Sequence, residues 1–84
     1  MDIIYKKRFE KNFKVLPEKI KNRFYDRLQL FIEDKNNNLL NNHSVGRAFP
    51  NCRSINITGD YRAIFEDGGD KIIFITIGTH SELY

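Results

Sequence analysis

Tryptophan is absent from this 84-residue chain, and cysteine, methionine and proline are scarce at one, one and two. A single cysteine, Cys52, excludes an internal disulfide and a multi-cysteine zinc site. The two histidines, His43 and His80, lie far apart and form no HxxxH pair, which argues against a metal centre. No run approaches the roughly 20 apolar residues that a membrane helix requires. The opening MDIIYKKRFE sets its acid and its bases in the wrong order for a secretory signal. The expectation is a cytoplasmic protein with no membrane association and no cofactor. Charge of one sign is also limited: 14 Lys and Arg against 11 acids leave a net +3. The excess sits in the first 35 residues, which fits attraction to a polyanion or an acidic partner without naming either.

What is present is the composition of a globular domain, 40% hydrophobic and 30% charged. Its length predicts one domain over residues 1–84, with a small core. DIIYK, residues 2–6, reads as a short buried strand. A first helix runs from about Lys7 to Val15, with Phe9 and Phe13 one turn apart. Pro17 opens a second helix that ends near Lys35, where Ile20, Phe24, Leu28 and Phe31 fall on one face. The asparagines of NNNLLNN, residues 36–42, favour a loop, which continues through His43, Gly46, Arg47 and Phe49 to Pro50. Three strands follow: Cys52–Ile57, Tyr61–Glu66, and the nearly all-apolar KIIFITI from Lys71. Thr58-Gly59 and Asp67-Gly68-Gly69-Asp70 supply the turns. The predicted class is α+β, with the N-terminal strand and two helices packed on one face of an antiparallel sheet that a C-terminal three-stranded meander completes.

In such a meander the strand ends converge. Antiparallel pairing brings Gly78 to His80 to the level of Asp60 and Arg62, with Tyr84 a short reach beyond. If Ser54, Asn56 and Arg62 face away from the helices, an open sheet face gathers an imidazole, a carboxylate, a guanidinium and an aromatic ring. Taken singly, each has a plainer reading: a surface histidine, a turn aspartate, a strand arginine, an apolar latch. Together they match what metal-independent RNA cleavage needs. It requires a base for the 2′-hydroxyl, an acid for the 5′-oxygen, a cation against the phosphate and a ring on which a base stacks. Arg47 and Arg53 are candidate phosphate contacts.

The segment PNCRSINITGDYRAIF, followed by an apolar strand and GTHSELY, resembles the RelE/ParE superfamily of bacterial toxin–antitoxin toxins. With His43 in the preceding loop, the ending is most similar to the YafQ branch. This resemblance implies a RelE-like fold and a ribosome-dependent mRNA interferase, an endoribonuclease that cuts messenger RNA in the ribosomal A site. It also implies a cognate antitoxin as partner, with operator DNA bound only by the toxin–antitoxin complex. His43 stands where the YafQ branch has its loop histidine, and Asp60 where it has the aspartate opening the second meander strand. His80 matches the histidine of the terminal G-[ST]-H-[SA]-[DE]-L-[FY] pattern, Tyr84 its closing aromatic, and Arg62 the arginine of GYR in RelE proper. Ser54 and Asn56 depart from both branches: RelE proper carries lysines there, and the YafQ branch an aspartate and a histidine.

The resulting assignment is catalytic for His80, Asp60, Arg62, His43 and Tyr84, and RNA-binding for Arg47, Arg53, Ser54 and Asn56. It leaves open which histidine is acid and which is base. A second reading makes the protein a binding module, either a ParE-like toxin directed at gyrase or a degenerate toxin that only binds its antitoxin. Under it the histidines and Asp60 are dispensable.

Overall fold

A computed structural model describes residues Met1–Tyr84. Its elements run β1 (Asp2–Tyr5), α1 (Lys7–Lys14), α2 (Glu18–Glu33), a 3-10 turn (Asn38–Leu40), β2 (His43–Ser44), β3 (Arg53–Asn56), β4 (Tyr61–Asp67), β5 (Lys71–Thr79) and α3 (His80–Leu83). The strands form one five-stranded sheet in the order β1-β5-β4-β3-β2. This is the α+β architecture expected, with two additions and one change. The additions are β2, which pairs antiparallel with β3 through His43–Ser54 and Ser44–Arg53, and the short α3. The change is that β1 runs parallel to β5, so the sheet is mixed at that edge. A parallel partner needs a crossover, and here the whole chain between the two strands supplies it.

Apolar spacing explains the core. Phe9 on α1 and Phe24 and Phe31 on α2 are buried against Ile55, Ala63, Phe65, Phe74 and Ile77 of the sheet. The rings of Phe9, Phe24 and Phe74 meet pairwise at 5.3 to 5.5 Å, close enough for the tilted and edge-to-face contacts that aromatic quadrupoles favour. Pro17 sits at the N-cap of α2, where its carbonyl accepts the amides of Ile20 and Lys21. No helix is long and apolar enough to cross a membrane.

One irregularity in β5 decides which residues of its C-terminal half face the core. Ile64 pairs with Thr76 and Phe65 with Phe74, so Ile75 has no partner across β4. Such a bulge shifts the alternation by one residue. Ile72 and Phe74 face the core before it and Ile77 faces the core after it, while Thr76 and Gly78 turn to the opposite face. Because β1 pairs only with Lys71–Phe74, α1 packs along the remainder of β5. There the Thr76 hydroxyl donates to Asn12 Oδ1 at 3.2 Å.

Candidate functional site

The face of the sheet turned away from α2 carries the residues singled out above. Cross-strand register sets two rows there: His43, Ser54, Ile64 and Thr76, then Asn56, Arg62 and Gly78. Directly opposed residues share a face, so His43 stands beside Ser54, and Arg62 lies between Asn56 and Gly78.

The expected open face is in fact covered at its centre. Ser54, Ile64 and Thr76 are almost completely buried. Gly78 shows how the cover forms: a Cβ at this position would lie 3.3 Å from Glu82 Oε1 and 3.5 Å from Leu83 Cδ2. The missing side chain is therefore what lets α3 fold back across the Arg62 row. A capping box fixes the turn into α3, with the Glu82 carboxylate accepting the Thr79 amide at 2.7 Å and the Thr79 hydroxyl accepting the Glu82 amide at 3.3 Å. The Thr79 amide and hydroxyl together hold the Glu82 carboxyl below its ordinary range.

The tail is also tied to the β3–β4 turn. The His80 amide donates to the Asp60 carbonyl at 3.0 Å, and the Tyr84 amide to the His80 carbonyl at 3.1 Å. The imidazole of His80 packs on the ring of Tyr84 at 4.9 Å, and Tyr84 meets Phe49 edge-on at 6.3 Å. Above Phe49 lies the Arg8 guanidinium, 5.7 Å from its centroid, in a cation–π contact. Arg62 donates through Nη1 to the carbonyls of Thr58, at 3.0 Å, and Tyr61, at 3.2 Å, which sets its charge over the turn that carries Asp60. His80, Asp60, Arg62 and Tyr84 thus come together at one end of the sheet. The link between Asp60 and His80 runs through the main chain, and the Asp60 carboxylate makes no hydrogen bond to the imidazole.

His43 lies at the β2 edge of the same face, exposed, with Nδ1 2.7 Å from the Asn41 carbonyl. Arg47 is exposed on the turn joining β2 to β3. Two expected RNA contacts sit differently. Ser54 is buried, so its hydroxyl is not on the surface. Arg53 falls in register with Phe65, on the helix side of the sheet, where its Nε donates to Asn42 Oδ1 at 2.7 Å and its Nη2 to the Asn42 carbonyl at 3.3 Å. Its charge braces the loop before β2. Two polar atoms of β3, Ser54 Oγ and Asn56 Oδ1, are buried without a hydrogen-bond partner. Each such group costs about 1–3 kcal/mol when left without a partner. Phe49 and Arg8 join the cluster without a motif that marks them as a pair. An aromatic inside the loop before Pro50 was the available signal for Phe49, and nothing local marks Arg8. Cys52 is buried beside this face, where burial, then the nearby Glu66 carboxylate, pushes its thiol up and away from the reactive thiolate. No three His, Cys, Asp or Glu side chains gather in one place.

The fold is that of known toxins. YafQ from E. coli strain BL21(DE3) superposes with a TM-score of 0.81 at 21% identity, over 99% of this chain and 97% of that one. A chain of the E. coli DinJ–YafQ toxin–antitoxin complex gives 0.80 at 21% identity, over 99% and 96%. A chain of the RelB–RelE antitoxin–toxin complex from Methanococcus jannaschii gives 0.73 at 26% identity, over 96% and 94%. No curated protein sequence matches the chain significantly. The model of the ParE toxins of type II toxin–antitoxin systems matches residues 3–84. With nearly its whole length matched, the chain belongs to that family and is a toxin of the RelE/ParE superfamily.

Proposed function

We propose that this toxin is a ribosome-dependent endoribonuclease that cleaves messenger RNA in the A site through the RNA 2′-hydroxyl. The observation that supports this reading is the meeting of His80, Asp60, Arg62 and Tyr84 where α3 folds back over the β3–β4 turn. In the reaction the 2′-oxygen loses its proton and attacks phosphorus, and the 5′-oxygen leaves with a proton supplied to it. His80 is the leading group for one of these transfers and His43 for the other. Arg62 answers the charge that builds on the phosphate, an effect worth about 3–4 kcal/mol when such a donor is removed. Asp60 orients the site, Tyr84 stacks on a base, and Arg47 contacts a phosphate. The antitoxin is an acidic segment that wraps the basic surface, and operator DNA is a ligand of the complex.

The test is primer extension on a defined messenger during in vitro translation, comparing wild type with His80→Ala at matched concentration. Cleavage within the A-site codon by the wild type, lost in the folded variant, is the expected result. A fully active, folded His80→Ala variant would remove His80 from the chemistry. The match to the ParE family model favours a second reading, a toxin without nuclease activity. Absence of cleavage by folded wild type selects it.

A further inference from the structure

The asparagine run before β2 has a structural task that bears on His43. Leu40, fully buried, anchors the 3-10 turn in the core, and Asn37 caps that turn by accepting the Leu39 amide at 3.0 Å. Asn41 then adopts the left-handed conformation, φ 47° and ψ 50°, with its amide donating to the Asn38 carbonyl at 3.2 Å. Among residues with a side chain, asparagine enters this region most readily. On the far side, Asn42 is clamped: Nδ2 donates to the Lys35 carbonyl at 3.0 Å, while Arg53 holds both its side-chain and its main-chain oxygen. The Asn41 carbonyl is thus fixed from both directions, and it lies 2.7 Å from His43 Nδ1.

A carbonyl oxygen can only accept, so an imidazole nitrogen bonded to it carries a proton. With Nδ1 protonated, the exchangeable lone pair of the neutral ring belongs to Nε2. The backbone of His43 is held in turn by its pairing with Ser54 on β3. We infer that Asn41 is a positioning residue, whose main-chain carbonyl fixes His43 in the Nδ1–H tautomer and makes Nε2 the atom that exchanges a proton with RNA. The role in proton exchange rests on the nuclease reading above, whereas the tautomer does not. The inference also accounts for Arg53, whose guanidinium works through Asn42 to hold the carbonyl in place. His43 transfers the proton, and Asn41 touches only the ring.

The tautomer is read directly by long-range nitrogen–proton NMR on histidine-labelled protein, at a pH where the rings are neutral. The two histidines are told apart with a His43→Gln variant. Wild-type His43 is expected as the Nδ1–H form, opposite to the Nε2–H form that free histidine prefers. Asn41→Gly, which enters the left-handed region freely, should keep that tautomer and full cleavage. Asn41→Val, which does not, should move His43 toward the Nε2–H form. Cleavage should then fall roughly ten- to a hundredfold, less than the full 10²–10⁴ of general acid–base catalysis because the ring still samples the working tautomer. An Nε2–H ring in the wild type overturns the positioning role and leaves the nuclease reading untouched. A folded Asn41→Val variant with the wild-type tautomer overturns it as well. An Nδ1–H ring in a wild type that cuts no messenger overturns the proton-exchange role together with the nuclease reading.

Discussion

Replacing Gly78 with valine should detach the tail while leaving the sheet intact. A Cβ at residue 78 already comes within 3.3 Å of Glu82 Oε1, the atom that accepts the Thr79 amide, and within 3.5 Å of Leu83 Cδ2. The two methyl groups of valine extend further into the same space, and overpacking of this kind costs about 1–3 kcal/mol. Against it stand the Thr79 cap, worth about 1 kcal/mol, and the contacts of Tyr84 with His80 and Phe49, about 0.5–1.5 kcal/mol each and at the low end for exposed rings. The two sides are comparable, so α3 gives way. The strand does not, because glycine weakens a strand interior by roughly 0.5–1 kcal/mol and a β-branched residue recovers that. Hydrogen exchange supplies the assay. Protection of the Tyr84 and Glu82 amides should fall at least tenfold in Gly78→Val, while core amides such as those of Phe65 and Phe74 keep theirs. Growth inhibition should be lost with the tail. Unchanged Tyr84 protection in a folded variant, or equal loss throughout the core, would refute the reasoning.

Two further outcomes follow from the same geometry. The Lys35 ammonium, bonded at 2.8 Å, and the Gly69 amide hold the Asp67 carboxyl below its ordinary range. The folded state therefore keeps this group ionised at lower pH than the unfolded chain does, and its contribution, complete above the ordinary carboxylate range, fades as pH falls through the folded value. Asp67→Asn should lower stability at neutral pH by about 1 kcal/mol or less for a pair this exposed. The difference should shrink as pH falls below the ordinary Asp value of about 3.9 and vanish once the folded carboxyl is protonated as well, as urea unfolding across pH would read. Asn56→His restores the imidazole that the YafQ branch carries at this strand position, opposite Arg62. It should raise A-site cleavage severalfold in the primer-extension assay, and unchanged cleavage by a folded variant would remove this position from the chemistry.

The meander was legible because its signals are local. Alternation marked β3 and β4, and Asp67-Gly68-Gly69-Asp70 marked the hairpin, in which Gly69 takes φ 84°. Strand β2 was not legible, since two polar residues carry no period and His43–Ser44 is extended only because β3 offers a free edge. The parallel docking of β1 is likewise a property of its partner, as DIIY would suit either direction. The place of Arg53 follows from alternation itself. It shares a face with Ile55, the helix side, and the guanidinium at that edge found Asn42 before any external phosphate.

The candidate site divides along the same line. Convergence of Asp60, Arg62 and His80 follows from strand order and turn position, both written in the sequence. What the sequence could not show is how the residues are held, because that depends on atoms that carry no residue identity. The Asp60 carbonyl takes the His80 amide, the Thr58 and Tyr61 carbonyls hold Arg62, and the Asn41 carbonyl meets His43. Main-chain oxygens thus orient three of the groups assigned to catalysis, and their placement is set by the bulge at Ile75, the space at Gly78 and the left-handed turn at Asn41. Substitutions that leave every side chain proposed for catalysis in place but alter these three backbone positions should therefore impair the toxin nearly as much as loss of a histidine.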